Sequence, residues 1–111
     1  MISSSTEDFR IVLTTIGSDS DAVPLARVLV DERLAACVNI LPPMVSIYRW
    51  KGAVEEDHEH QVVIKTTADR LPALEARLRQ LHPYELPEFL VLDVAGGGAA
   101  YLTWVRESVA G

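Results

Sequence analysis

The sequence predicts a small α+β domain, and three observations lead to that prediction. Four segments show the two-residue alternation or the β-branched content of strands, and three others carry apolar residues at helical spacing. These segments follow one another as βαββαβα, and a chain of 111 residues has room for one domain. The order βαββαβ is that of the ferredoxin-like fold, in which two helices pack on one face of an antiparallel sheet.

The first half of the chain predicts a strand, a helix and a long hairpin. Apolar residues alternate over 9–15, and helix-capping residues then open a helix that runs to about Arg33. Strand character extends over 37–50, with a bend or bulge expected at 42–43, because two successive prolines cannot donate ladder hydrogen bonds. A lysine–glycine turn leads into a long strand at 53–66, which forms an antiparallel hairpin with the segment before it.

The second half predicts two helices on either side of a loop and a strand. Leucines at helical spacing carry the second helix to His82. The loop His82–Glu88 contains two prolines, so we expect an ordered, non-helical segment there. A strand follows at 89–94, three glycines end it, and a helix with one apolar face occupies 99–109.

The overall composition restricts the partners and the compartment. We expect residues 1–111 to form one domain, with a flexible N-terminal tail at 1–8 that lacks the features of a signal peptide. No apolar run has the length of a membrane span, and a net charge of −6 argues against nucleic-acid binding. The single cysteine, Cys37, cannot form an intramolecular disulfide, which suits a reducing compartment such as the cytoplasm.

The strand at 89–94 is apolar on both of its faces, which is typical of strands covered on both sides. Two helices cover only one face of a ferredoxin-like sheet. Either a second copy of the chain or the C-terminal helix must therefore cover the other face. We expect the same role, packing at an interface, for the aromatic residues Tyr48, Trp50, Tyr101 and Trp104.

Five segments of the chain carry a resemblance to a known family. They are Leu34–Ile40, Tyr48–Gly52, Ile64–Thr67, His82–Glu88 and Tyr101–Trp104. In order and spacing they are similar to the CutA divalent-cation-tolerance family, and the likeness extends from about Phe9 to Val109.

The resemblance implies a ferredoxin-like subunit in a tight cytoplasmic homotrimer. It also implies a role in tolerance of divalent metals, copper above all, and some family members bind copper. Members with proposed copper sites carry Cys at the position of Thr14 and His at the position of Leu81. Since only Cys37 and His82 are carried over as thiol and imidazole, we expect metal binding to be weak.

Two of the metal-ligand candidates lie in the segments that match the family, Cys37 and the loop His82–Glu88. A thiolate suits Cu(I), although a lone cysteine is also a common small apolar core residue. His82 and Glu88 supply an imidazole and a carboxylate that could ligate a metal or move a proton. The loop could instead be a structural connector.

His58 and His60 have the most metal-like local spacing in the chain. Residues i and i+2 of a strand share a face, so both imidazoles, with Glu56, should point the same way. Such a pair can hold Cu(II), Ni(II) or Zn(II). The alternative is a solvated hairpin arm, since the acidic cluster of residues 55, 56, 57 and 59 surrounds them.

The favoured function is a binding protein: a homotrimer that binds or buffers divalent metal such as copper, or an adaptor or signalling scaffold in the response to metal ions. We expect no required cofactor and no enzymatic activity. The alternative is a small-molecule or enzymatic site at the subunit interface, with His82 and Glu88 as acid and base.

Overall fold

The computed structural model describes residues 8–111, which form a four-stranded antiparallel sheet, three α-helices and a short 3-10 helix at Ala68–Arg70. The order of the strands across the sheet is β2-β3-β1-β4. This arrangement confirms the α+β, ferredoxin-like prediction. The strands are β1 (Phe9–Gly17), β2 (Cys37–Trp50), β3 (Ala53–Thr67) and β4 (Leu90–Asp93), and the helices are α1 (Val23–Asp31), α2 (Leu71–Leu81) and α3 (Ala99–Val109).

The end of α1 differs by two residues from the predicted end at Arg33. The helix stops at Asp31, and Arg33 adopts a left-handed backbone with φ 61°. The amide groups of Leu34 and Ala35 both donate to the carbonyl of Leu29, at 2.9 and 3.1 Å. These bonds satisfy a carbonyl that the helix end leaves open and turn the chain towards β2.

The β2–β3 hairpin is the longest feature of the sheet. Its ladder shifts register between Ile40 and Pro43, which confirms the bulge predicted at the two prolines. At its tip, Lys51 and Gly52 have positive φ values of 50° and 84°. Two successive residues of this kind make a tight turn whose twist matches that of the flanking strands.

The core lies between one face of the sheet and the helices α1 and α2. Alternate strand residues point to the same face, so the even-numbered positions of β1 and β3 pack together here. The largest buried contributors are Val12, Ile16, Val62 and Ile64 from the sheet, and Leu25, Leu29, Leu74 and Leu78 from the helices.

The opposite face of the sheet, which we call the open face, is only partly covered. Helix α3 packs at one end of it, where Leu102, Val105 and Val109 bury Phe9 and Ala36. The rest includes the cross-strand pairs Ile11–Leu92 and Leu13–Leu90. Lys65, another open-face residue, places its Nζ 3.4 Å from the hydroxyl of Tyr101 on α3.

Four large side chains of this region remain exposed to solvent and form what we call the apolar patch. Their exposed fractions are close to one half: Leu90 54%, Leu92 46%, Tyr101 47% and Trp104 45%. The sequence predicted that either a second copy of the chain or the C-terminal helix covers the open face. Helix α3 covers one end of that face and leaves the apolar patch exposed.

The predicted tail at 1–8 lies outside the described residues except for Asp8. The carbonyl of Asp8 accepts a hydrogen bond from the amide of Ala68 at 2.7 Å, and its carboxylate lies 3.0 Å from Arg106. None of the helices within residues 8–111 is long and apolar enough to cross a membrane.

Candidate functional site

A cleft of about 1100 Å³ opens on the open face, where the β2–β3 hairpin meets the loop after α2. Odd-numbered residues of β1 and β3 and even-numbered residues of β2 form its floor. The loop residues 83–88 form one wall. The cleft therefore lies on the same face of the sheet as the apolar patch.

One polar contact of the cleft joins Tyr84 to the buried carboxylate of Glu59. The Tyr84 hydroxyl donates to Oε2 of Glu59 at 2.6 Å, and Glu59 is only 7% exposed. Burial and this bond to Glu59 raise the pKa of the Tyr84 hydroxyl well above its usual range. The hydroxyl thus stays protonated and remains a hydrogen-bond donor at any physiological pH.

A second tyrosine–carboxylate pair lies further out along the hairpin. The Tyr48 hydroxyl donates to Oδ2 of Asp57, across the β2–β3 ladder. This hydrogen bond, with the negative charge of Asp57, raises the pKa of Tyr48 to about 12. Both tyrosines of the cleft are therefore donors directed at carboxylates.

Gln61 joins the floor of the cleft to the loop. Its Nε2 donates to the carbonyl of Thr14 at 2.7 Å and to Oε2 of Glu88 at 3.2 Å. The Glu88 carboxylate is thereby held beside the floor. It does not bond to His82.

His82 is buried and uses both of its ring nitrogens within the protein. Nε2 donates to the carbonyl of Thr15 at 2.6 Å, and Nδ1 accepts from the amide of Tyr84 at 3.1 Å. The imidazole also lies against the ring of Tyr84, with centroids 4.7 Å apart. These contacts hold the loop against β1, and a metal could bind the ring of His82 only after one of them broke.

Cys37 lies at the other end of the sheet from His82. It pairs with Lys65, whereas His82 contacts Thr15, which pairs with Gln61. Four residues along β3 correspond to about 13 Å. Within residues 8–111, no three His, Cys, Asp or Glu side chains come together in a way that could hold a metal ion.

His58 and His60 both point from β3 on even-numbered positions, as their spacing predicts. His58 is exposed, while His60 donates from Nδ1 to the carbonyl of Leu41 at 2.7 Å. That bond leaves Nε2 of His60 as the acceptor nitrogen. His58 and His60 thus place two imidazoles on one side of β3. Glu56 is exposed on the same side.

The sequence did not predict the two tyrosine–carboxylate pairs. Tyr48 was expected to pack at an interface, and Glu59 was expected to be solvated with the rest of the acidic cluster. One feature of the sequence could have identified Glu59. It lies two residues before Gln61 on β3, so the two polar side chains share one face of the sheet. Their partners depend on the register of β2 and on the path of the loop, which local patterns do not define.

The charged side chains that line the cleft are all carboxylates. There are five of them, and no lysine or arginine of residues 8–111 lines the cleft: Asp19, Asp57, Glu59, Glu85 and Glu88. The donors Tyr48 and Gln61 on the strands, and Tyr84 on the proline-containing loop, face these carboxylates. Polar groups held in place around a cleft in this way are suited to binding a ligand.

The fold and the cleft define a class of protein: a ferredoxin-like subunit with a partly open sheet face and an acidic, tyrosine-lined cleft beside it. Over residues 10–108 the chain matches the family model described as CutA1 divalent ion tolerance protein. The chain belongs to this family, as its sequence resemblance predicted.

Individual relatives agree with this assignment. The divalent-cation tolerance protein CutA of Thermus thermophilus is 49% identical over 99 residues, which are 89% of this chain and 96% of the relative. The solved structure of CutA from Synechococcus elongatus has a TM-score of 0.88 at 43% identity, covering 94% of this chain and 92% of that one. A structure described as the periplasmic divalent cation tolerance protein CutA from Archaeoglobus fulgidus has a TM-score of 0.87 at 27% identity, covering 92% and 99%.

Proposed function

We propose that this protein works as a homotrimer that binds divalent cations and takes part in tolerance of metal ions, as a buffer or as an adaptor. The observation that carries the proposal is the apolar patch. Four large side chains on one face are about half exposed, and two of them belong to a strand that is apolar on both sides. Removing such a patch from water by closed, symmetric self-association stabilises a subunit of this size.

The family resemblance supports an assembly of three subunits. The name divalent-cation tolerance protein, which relatives carry, supports a divalent metal ion as the ligand. For the cation itself we propose weak binding. The imidazoles of His58 and His60 are the preferred site for Cu(II), Ni(II) or Zn(II), and Cys37 is the soft alternative for copper. His82 and Glu88 are weaker candidates, because each is already engaged in hydrogen bonds. We also propose a cytoplasmic location, from the lone cysteine, although one solved relative is described as periplasmic.

Light scattering over a wide dilution range tests the assembly, with two variants of matched exposure. Leu92→Asp places a charge in the apolar patch and should release subunits or unfold them, because a buried unpaired charge is costly. Val23→Asp places the same charge at a residue of equal exposure, 47% against 46%, at the start of α1, and should leave the assembly unchanged. A parent protein that is monomeric at every concentration would refute the proposal.

A second candidate function is small-molecule binding in the cleft. The specific observation in its favour is the buried Glu59–Tyr84 pair within a cleft of about 1100 Å³. The enzymatic version, with His82 as an acid or base, has less support, since both ring nitrogens of His82 bond to the backbone. Native mass spectrometry of metal-free protein, titrated with copper and then with small molecules, separates the two functions.

A further inference from the structure

We infer that the bulge in β2 positions His60 as a metal ligand. The carbonyl of Leu41 at the bulge holds the His60 ring so that Nε2 is its acceptor nitrogen, and His58 supplies a second imidazole to the same ion. The ion is Zn(II), Cu(II) or Ni(II). This inference rests on the cation binding proposed above, and it adds the backbone group that orients the ligand.

The bulge arises where the β2–β3 ladder shifts register. Leu41 and Pro42 together lie opposite the single residue Gln61, and neither has a partner in the register. Pro42 and Pro43 have no amide hydrogen and cannot donate to the ladder. The extra residue of a bulge is left unpaired, so its backbone groups are available for other bonds.

His60 bonds to the carbonyl that the bulge makes available. Its Nδ1 lies 2.7 Å from the carbonyl oxygen of Leu41. Because a carbonyl can only accept, Nδ1 carries the hydrogen and Nε2 carries the lone pair. Histidines that bind metals usually donate from the other ring nitrogen to a group of this kind, which fixes the tautomer and the orientation of the ring. His60 therefore has the arrangement of a metal ligand before any ion binds.

His82 shows the opposite arrangement. Its Nε2 donates to the carbonyl of Thr15, and its Nδ1 accepts from the amide of Tyr84. Both ring nitrogens are in use, so the ring has no lone pair left for an ion. Of these two histidines, only His60 keeps an acceptor nitrogen that no group of residues 8–111 occupies.

His58 provides the second imidazole on the same side of β3. The Cα atoms of His58 and His60 are two residues apart along the strand, or about 6.6 Å. The amide of Ser18 donates to the carbonyl of His58 at 2.9 Å, which holds the strand in place at this point. The His58 side chain is exposed. Even-numbered positions of β3 point away from the open face, so this pair is separate from the apolar patch.

The types of ligand select the class of ion. Imidazole nitrogen suits Zn(II), Cu(II) and Ni(II), whereas Ca(II) and Mg(II) prefer oxygen ligands and Cu(I) prefers sulfur. Within residues 8–111 no three His, Cys, Asp or Glu side chains converge, so water must complete the coordination. The affinity should therefore be modest. Glu56, which is exposed two residues before His58, raises the local concentration of cations.

Nuclear magnetic resonance of the intact protein observes the tautomer of His60 directly. The chain contains three histidines, so isotope-labelled imidazoles give few signals, and the spectrum of His60→Asn identifies those of His60. The ring nitrogens should show the hydrogen of His60 on Nδ1. Addition of Zn(II) should shift Nε2 of His60 and the ring of His58, and leave His82 unchanged. A hydrogen on Nε2 of His60 in the metal-free protein would overturn the inference.

Two variants separate the ligand from the group that positions it. His60→Asn keeps a donor near the place of Nδ1 but has no counterpart of Nε2. It should weaken Zn(II) binding about tenfold or more while the denaturation midpoint stays close to that of the parent. Deletion of Pro42 leaves one residue opposite Gln61 and keeps both imidazoles. Closing the bulge in this way should weaken Zn(II) binding about 10–100-fold, the usual effect of losing a group that orients a metal-binding histidine.

Calorimetry with Zn(II), Cu(II), Ni(II) and Ca(II) distinguishes the possible results. Zn(II) binding of unchanged affinity in His60→Asn would place the site elsewhere, so that cation binding stands and the inference is wrong. Full affinity after deletion of Pro42 would show that the bulge does not position the ligand. Equal affinity for Ca(II) would exclude recognition by imidazoles. If the parent protein binds none of these ions, the proposed cation binding loses its support together with the inference.

Discussion

Replacing Tyr84 by phenylalanine isolates the central contact of the cleft. The change removes one hydroxyl and retains the ring that packs against His82. It leaves Glu59, which is 7% exposed, without its hydrogen-bond donor from the described residues. The perturbation is therefore the loss of a single bond to a buried carboxylate, with little change of packing.

The expected cost follows from the type of bond. Hydrogen bonds to charged groups contribute roughly 1.5–3 kcal/mol, and leaving a buried acceptor unpaired costs a similar amount. Tyr84 is only half-buried, so water can replace part of the lost interaction. We therefore expect the free energy of unfolding to fall by about 1.5–2 kcal/mol per subunit.

Equilibrium unfolding in guanidinium at a fixed protein concentration measures this loss. Ser108→Ala is the control, because the Ser108 hydroxyl makes one exposed hydrogen bond, to the carbonyl of Trp104 at 2.7 Å, and Ser108 is not part of the apolar patch. The control should stay within about 0.5 kcal/mol of the parent. In the Glu59→Gln background the Tyr84→Phe cost should fall by about half, since the remaining bond is neutral. Equal costs for Tyr84→Phe and Ser108→Ala would refute the reasoning.

Three further predictions concern pH and metals. Because the pKa of folded Tyr84 lies above the unfolded value of ~10, the stability from this shift is present below pH ~10 and is lost as pH rises further. Denaturant midpoints from pH 8 to 11 should fall more for the parent than for Tyr84→Phe. Zn(II) binding should be lost in the double variant His58→Ala, His60→Ala, with the assembly unchanged. In the parent protein it should weaken as the pH falls, because protons compete with the metal for the imidazoles. Calorimetry with Cu(II) should show at most modest affinity, and a tight site abolished by Cys37→Ser would contradict this.

Local patterns predicted most of the fold. The alternation in β1 and the leucines of α2 each repeat over several periods, and their predicted limits lie within two residues of the observed ones. The missed part of β1 shows the limit of such reasoning. The strand continues to Gly17 because that residue pairs with Glu59 of β3, which is far away in sequence. Pairing of this kind leaves no trace in the local pattern.

The candidate site was predicted less well, for the same reason. The sequence pointed to individual residues with metal-binding chemistry, among them Cys37 and His82. The register of the sheet separates these two and instead joins Glu59 to Tyr84, 25 residues apart in the chain. An acidic run also looks uniform in sequence, whereas the sheet exposes most of it and buries Glu59 alone. Which carboxylate is buried is a property of the tertiary structure.

The cleft and the apolar patch share one face of the sheet, so assembly and ligand binding are connected by geometry. A second subunit that covers Leu90 and Leu92 approaches the border of the cleft. If the second subunit contributes residues to the cleft, assembly strengthens the binding of a ligand there. Ligand binding must then strengthen assembly by the same factor. The affinity of the cleft for a small-molecule ligand should then fall when Leu92→Asp releases folded subunits. Equal affinity in subunit and assembly would mean that one chain completes the cleft, and the shared face would then carry two independent functions.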